Sequence, residues 1–235
     1  MRFKGAKIRW FGHSAFQILT PEGKSILIDP WFDNPSGSPG FIDEIEKVDI
    51  VLITHGHGDH LGNVVDIYRR FKPKIYAIFE ISQYLAARGV ESVGMNISGC
   101  VTDSKITICM TEAAHSSADI VDGRIVYLGN PAGFVITLEN GFKIYHAGDT
   151  GLFGGLSIIG EFYKPDVVML PIGGHFTMGP EEAAYAVKLL KPSYIIPMHY
   201  GTFPVLTGTP DELIEALDPE YKDRVVVMEV GVLTE

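Results

Sequence analysis

Four side chains of metal-ligating type fall within six positions of this chain, in Thr54-His55-Gly56-His57-Gly58-Asp59-His60. The run before them, Val48-Asp49-Ile50-Val51-Leu52-Ile53, reads as a buried strand. A strand has period two, so His55 and His57, just past its end, can point the same way. Gly56 and Gly58 carry no side chains, which leaves room for a cation and lets the backbone turn sharply. Asp59 and His60 stand where the loop enters a helical pattern, Leu61 to Phe71. One metal can take His55 and His57, and a second can take Asp59 and His60. A lone histidine is usually a packed or surface residue. Three with an aspartate, at this spacing on the end of an apolar strand, are hard to explain as core. A structural zinc finger would want cysteines, and none is near.

The chain's 235 residues fit one α/β domain, 1–235, with a large core. Hydrophobic residues make up 46% and charged residues 20%, so an ordinary folded protein is expected rather than a disordered one. The formal net charge of −10 and the lack of any Lys/Arg run argue against a nucleic-acid partner, because phosphate backbones need a basic surface. No apolar run is long enough for a membrane span. The stretch from Met1 to Trp10 lacks the apolar centre of a signal peptide. Cys100 and Cys109 are too few for a disulfide framework, which makes a reducing cytoplasm the default location.

Lys7–Phe11, Ala15–Thr20 and Lys24–Ile28 read as strands, with Gly12-His13-Ser14 and Pro21-Glu22-Gly23 as turns. His13 is therefore on a loop, free to face either a site or solvent. The loop from Trp31 to Phe41 carries Pro35, Gly37, Pro39 and Gly40 with Trp31, Phe32 and Phe41. Its aromatics suit a pocket rim or a cover over the domain edge. A short helical turn is expected over Phe41–Lys47. After the histidine motif come a helix to Phe71, a strand over Lys74–Ile78 and a helix over Glu80–Arg88. Ser98–Thr111 reads as one long β segment ending near His115, which can lean into an open cavity.

Strands are expected over Arg124–Leu128, Gly133–Glu139 and Phe142–His146, the last two joined by Asn140-Gly141, a hairpin signal. The third runs into His146-Ala147-Gly148-Asp149-Thr150, and Gly151, Gly154 and Gly155 make the next loop adaptable. Pro165–Pro171 repeats the shape of the first apolar strand and also ends in a glycine-rich turn with a histidine, Gly173-Gly174-His175. A helix starts at Gly179-Pro180-Glu181-Glu182 and runs to about Leu190. Ser193–Pro197 is a strand ending in Met198-His199, Asp211–Leu217 a short helix, and Arg224–Val230 a closing strand.

His-x-His-x-Asp-His after a buried strand resembles the signature of the metallo-β-lactamase superfamily. Trp10-Phe11-Gly12-His13-Ser14-Ala15-Phe16, Gly129-Asn130-Pro131-Ala132-Gly133 and Leu170 to Pro180 further resemble its UPF0173 metal-dependent hydrolases, over Ile8 to Val230. These are similar to the ascorbate-phosphate lactonase branch and, more distantly, to the phospholipase D-type phosphodiesterases. The resemblance implies a four-layer αββα sandwich of two pseudo-related halves. It implies that His115 is the third histidine of the first metal, that Asp149 bridges, and that His199 completes the second metal. It also implies that Asp29 sits behind the ligands and orients a histidine, in keeping with the need of a ligating imidazole for an acceptor on its other nitrogen. His146 is then either behind the ligands or merely buried. The absence of a cysteine ligand departs from one zinc β-lactamase subtype, and His57 in place of glutamate departs from the di-iron oxygen reductases.

The expected activity is hydrolysis of an ester, lactone or phosphodiester of a small molecule by hydroxide bridging two divalent metals. Zinc fits the ligand set first, and manganese, nickel or iron also fit. Asp59 would orient the nucleophile, and His175 would bind substrate or protonate the leaving group. A nucleic-acid phosphodiesterase or nuclease and a non-catalytic metal-binding regulator of the same fold are the alternatives. A homo-oligomer is compatible with the sequence, and no membrane partner is expected.

Overall fold

The computed structural model describes residues 2–38 and 40–235. Met1 and Pro39, which belong to the N-terminal stretch and the 31–41 loop considered above, lie outside the described residues. Fifteen strands follow one another among the described residues: β1 (Lys7–Trp10), β2 (Phe16–Leu19), β3 (Ser25–Ile28), β4 (Ile50–Leu52), β5 (Lys74–Ile78), β6 (Val93–Met95), β7 (Cys100–Asp103), β8 (Ile106–Glu112), β9 (Ala118–Val121), β10 (Arg124–Tyr127), β11 (Ala132–Thr137), β12 (Lys143–His146), β13 (Val167–Pro171), β14 (Tyr194–Met198) and β15 (Leu233–Thr234).

They build two mixed sheets and a separate hairpin, with strand orders β15-β1-β2-β3-β4-β5-β6, β14-β13-β12-β11-β8-β7 and β10-β9. In the first sheet β3 to β6 run parallel. In the second, β12, β13 and β14 run parallel. The alternation of side chains along a strand divides the core. Ile106, Ile108, Met110, Phe134, Ile136, Val167 and Met169 join the cluster that contains the first sheet. Their neighbours Cys109, Val135, Tyr145, Val168 and Leu170 turn the other way, onto the helix Pro180–Leu190. Helices Val64–Phe71 and Phe79–Ala86 bury Ile67, Ile81 and Leu85 against the first sheet. The layers are thus helix, sheet, sheet, helix, as the αββα expectation has it.

Several boundaries differ from the sequence reading. The long segment Ser98–Thr111 is two antiparallel strands, β7 and β8, folded at Ser104-Lys105. Both turn residues take positive φ, 50° and 69°. No Gly, Asn or Pro marks the bend, and Asp103-Ser104 is a weaker turn signal inside a segment whose alternation runs on. The fold places Cys100 directly opposite Cys109, and the two form a disulfide. Two cysteines, too few for a disulfide framework, thus still form one bond, which removes that ground for a reducing compartment. No helix among the described residues is long and apolar enough to cross a membrane.

Arg224–Val230 is not a regular strand. It touches β14 at Ile195↔Val225 and β1 at Trp10↔Val230, crossing from one sheet to the other. Its run of valines mimics a strand because alternate residues, Val226 and Met228, still face the core. The predicted helix after Leu61 breaks at Gly62, where a Cβ would lie 2.6 Å from the Pro30 carbonyl oxygen and from Trp31 Cα. The glycine loop from Gly151 winds into the helix Gly155–Ile158, extended by a wider turn, Ile159–Tyr163.

Candidate metal centre

The parallel strands β3, β4, β12, β13 and β14 end at one edge of the sandwich, where open α/β sheets leave their crevices. Asp29 follows β3, Thr54 to His60 follow β4, Asp149 follows β12 and His199 follows β14, while His115 follows the antiparallel β8. His13 joins them from the turn between β1 and β2. His13, Asp29 and His199 hold φ of 51°, 44° and 53°, a left-handed backbone that non-glycine residues seldom adopt. Three such residues at one edge indicate a conformation imposed by the surroundings to aim side chains. The strands are also tied across the sheets. The His199 amide donates to the His13 carbonyl at 3.0 Å, and the Ala132 amide donates to Thr54 O at 3.0 Å. Gly148, at φ 62°, passes so close to the Ala132 carbonyl that a Cβ would lie 2.5 Å from its oxygen.

The side chains converge in two pockets. His55, His57 and His115 each offer a nitrogen within 4.8 Å of the others, and nitrogens of His13, His60 and His199 gather equally closely with a carboxylate oxygen of Asp59. Asp149 stands between the pockets. Its Oδ2 lies 2.9 Å from His199 Nε2, 3.3 Å from His60 Nε2, 3.6 Å from His115 Nε2 and 4.0 Å from His55 Nε2.

One carboxylate behind the centre sets the rings of both pockets. Asp29 Oδ2 accepts from His60 Nδ1–H at 2.8 Å and from the Thr54 hydroxyl at 2.6 Å, and Oδ1 accepts from the Thr54 amide at 2.8 Å. The Thr54 hydroxyl, its own proton committed, accepts from His55 Nδ1–H at 3.0 Å. His60 and His55 therefore both present a bare Nε2 to the centre. His57 Nε2 lies 3.2 Å from Ser116 Oγ, which leaves its Nδ1 facing His55 Nε2 at 3.0 Å. His13 has Thr202 Oγ1 at 3.0 Å from Nδ1, and its Nε2 reaches Asp59 Oδ2 at 3.1 Å.

Burial keeps His55 well below the usual imidazole range, and it lowers His57 and His115 as well. Burial also pushes His13 down, to about 4, with the neighbouring His199 and His60 adding to it. These rings are free bases at neutral pH, the form a cation needs. His60 goes the other way. Burial opposes its charge, but Asp149, Asp29 and Asp59 outweigh burial and raise it. Asp59 and Asp149 are held below the carboxylate range by the imidazoles around them, against the opposing effect of burial.

The donors fit divalent cations. With Nδ1–H donating to Thr54, His55 Nε2 is a lone pair 3.0 Å from His57 Nδ1, and with its Nε2–H turned to Ser116 His57 would offer a second. His60 Nε2 and Asp149 Oδ1 are buried without a hydrogen-bond partner among the described residues. Buried polar atoms without partners are uncommon, and a coordinated ion satisfies such atoms directly. Imidazole with carboxylate and no thiolate suits zinc, manganese, iron or nickel.

All seven residues expected as ligands, His55, His57, Asp59, His60, His115, Asp149 and His199, are thus gathered at one place. His13, expected only near the site, sits inside the second pocket. His146 is fully buried outside both pockets. Its Nε2–H donates to Ser14 O at 3.1 Å and its Nδ1 accepts from the Gly148 amide at 3.1 Å, so it ties the Asp149 turn to the His13 turn. His175 is exposed at φ 58°, its ring edge-on to Phe176 at 4.4 Å, and belongs to neither pocket. Gly56 does not make room for a cation. A Cβ there would strike Leu128 at 2.6 Å, so the missing side chain serves packing. Thr54, Ser116 and Thr202 were not foreseen. Asking which acceptor each ligand ring would need points to hydroxyls beside the histidines, and would have found Thr54 and Ser116.

Residues 24–200 match the beta-lactamase superfamily domain. A UPF0173 metal-dependent hydrolase of Caldivirga maquilingensis is 48% identical over 230 residues, covering 95% of each chain. Another, from Koribacter versatilis, is 46% identical over 215 residues, covering 91% of this chain and 92% of the relative. Among solved structures, Igni18, described as a novel metallo hydrolase from Ignicoccus hospitalis, superposes with a TM-score of 0.88 at 40% identity, covering 97% of both chains.

Proposed function

The chain belongs to the UPF0173 metal-dependent hydrolases of the metallo-β-lactamase superfamily, and on that premise we propose a dinuclear centre that hydrolyses an ester, lactone or phosphodiester bond of a small molecule. The observation that carries the two-metal reading is Asp149 Oδ2, within 4.0 Å of imidazole nitrogens from both pockets. A carboxylate has the lone pairs to serve two cations, and an imidazole does not. His55, His57 and His115 would hold one ion. Asp59, His60 and His199, with His13 beside them, would hold the other. Zinc is the metal we assign first.

When bound, such ions lower the pKa of water from about 15.7 toward about 7 and stabilise developing negative charge. The protein's share is positional. Asp29 and Thr54 hold two rings in the tautomer that leaves Nε2 free. Asp59, a quarter exposed and braced by His13, faces the open side and orients the attacking water. For an ester or lactone, water adds its oxygen to the acyl carbon and the bond to the leaving oxygen breaks. The products are a carboxylate, an alcohol and one released proton. We assign His175, on the exposed loop after β13, to substrate binding or to protonation of the leaving group.

The purified protein is expected to carry close to two divalent ions per chain, with chelation abolishing hydrolysis and metal restoring it. One ion per chain contradicts the dinuclear reading. His175→Ala is expected to keep both ions and lose turnover. A variant that matches the parent on esters, lactones and phosphodiesters removes His175 from the reaction.

A further inference from the structure

Eight connections build the metal end of the molecule: those after β1, β3, β4, β8, β10, β12, β13 and β14. None contains a lysine or arginine, although the chain has 19 of them. The charges acting most strongly on His13, His57, Asp59, His115 and Asp149 are the site's own imidazoles and carboxylates. The basic residues gather elsewhere. Lys24, Lys47, Arg70, Lys72 and Lys74 line one cavity at the opposite ends of β3, β4 and β5. Proteins that recognise phosphates or carboxylates place arginine or lysine against them. Here such groups would meet no lysine or arginine from these connections, and Asp59 and Asp149 would repel them.

What the connections do carry is aromatic. Trp31, after β3, and Phe203, after β14, both stand edge-on to buried His13, at 5.2 and 5.6 Å between ring centres. The two rings lie 5.9 Å apart and only 30° from parallel. That spacing leaves no slot between them, so they act as one continuous wall. Both are half-buried, with His13 and then Asp59 behind them. Phe176, on the connection after β13, is 52% exposed. Apolar surface next to a desolvated reacting centre binds apolar substituents.

Building on the hydrolytic reading, we propose that the substrate is an uncharged ester or lactone whose apolar group packs on the Trp31–Phe203 wall, and that phosphodiesters and anionic esters are poor substrates.

The test uses the metal-loaded full chain and four compounds with one leaving group: 4-nitrophenyl acetate, 4-nitrophenyl hexanoate, mono-4-nitrophenyl succinate and bis(4-nitrophenyl) phosphate. The hexanoate should exceed the succinate and the phosphodiester in kcat/KM by about 100-fold. Trp31→Ala and Phe203→Ala should each raise KM for the hexanoate by about 10-fold with little change in kcat, and narrow the preference for hexanoate over acetate. Phe176→Lys should raise the ratio of succinate to hexanoate turnover. As a readout free of turnover, 4-nitrophenyl hexyl ketone should quench tryptophan emission in metal-free protein, and Trp31→Phe should abolish the quenching. A phosphodiester cleaved as fast as the hexanoate overturns the substrate class and leaves the hydrolase standing. Loaded protein inert on all four compounds overturns the hydrolytic reading and the substrate class with it. A hexanoate KM indifferent to both wall variants overturns the wall.

Discussion

The two pockets that share Asp149 are built to different rules. The His55–His57–His115 pocket is three imidazoles, one buried and two only partly so, with no carboxylate of its own. The His13–Asp59–His60–His199 pocket is buried except for Asp59, and two carboxylates besides Asp149 bear on it. Its His60 is drawn toward the charged form by Asp149, Asp29 and Asp59, so this pocket favours positive charge before any ion enters. A buried, anionic pocket holds a cation tightly, and an open neutral one exchanges it. On the two-ion proposal the deeper pocket would be the anchoring position and the three-histidine pocket the exchangeable one. In a stepwise chelation the first ion lost should come from His55, His57 and His115.

The largest effect is expected where the comparison collapses. Asp149→Ala removes the atom both pockets share, so both ions should be lost and turnover should fall by about 1,000-fold or more. Elemental analysis with a kinetic assay reads both. Retention of one ion would show that one pocket closes without Asp149.

Next comes the support behind the rings. Asp29→Ala strips the Thr54 amide, the Thr54 hydroxyl and His60 Nδ1 of their acceptor. Each buried orphan costs about 1–3 kcal/mol, so thermal melting should show a loss of several kcal/mol, and affinity should drop in both pockets. Thr54→Val is the sharper tool. It removes the acceptor of His55 alone, so affinity in the three-histidine pocket should weaken by about 10- to 100-fold while the deeper pocket changes less. Thr54→Ser should restore it. An equal loss in both pockets would contradict their separation. Ser116→Ala, which touches only exposed Ser116 and His57 Nε2, should weaken the same pocket by a few-fold at most. Metal titration of each variant measures these differences.

The ligands were legible in the sequence because they stand at the ends of apolar strands, where a strand's end predicts a shared edge. His115, Asp149 and His199 needed the family resemblance as well, since nothing in their local spacing links them to residue 57. Less legible was everything set by contact across the chain. Thr54 orients His55 through Asp29, 25 positions away, and no local period marks it. His13 was left open between site and solvent because a turn histidine carries no direction until β1 and β14 are tied together. The Cys100–Cys109 bond depended on a bend at Ser104-Lys105 that turn residues announced only weakly. The β9–β10 hairpin went unread in part. Its first strand is short and exposed, and its Asp122-Gly123 turn was overlooked.

The most direct measurement is the anomalous difference map of a crystal of the metal-loaded protein. Two peaks should flank Asp149, one about 2.0–2.2 Å from nitrogens of His55, His57 and His115, the other at similar distances from His60, His199 and Asp59. A single peak, or two peaks with Asp149 bound to neither, would contradict the shared-carboxylate centre.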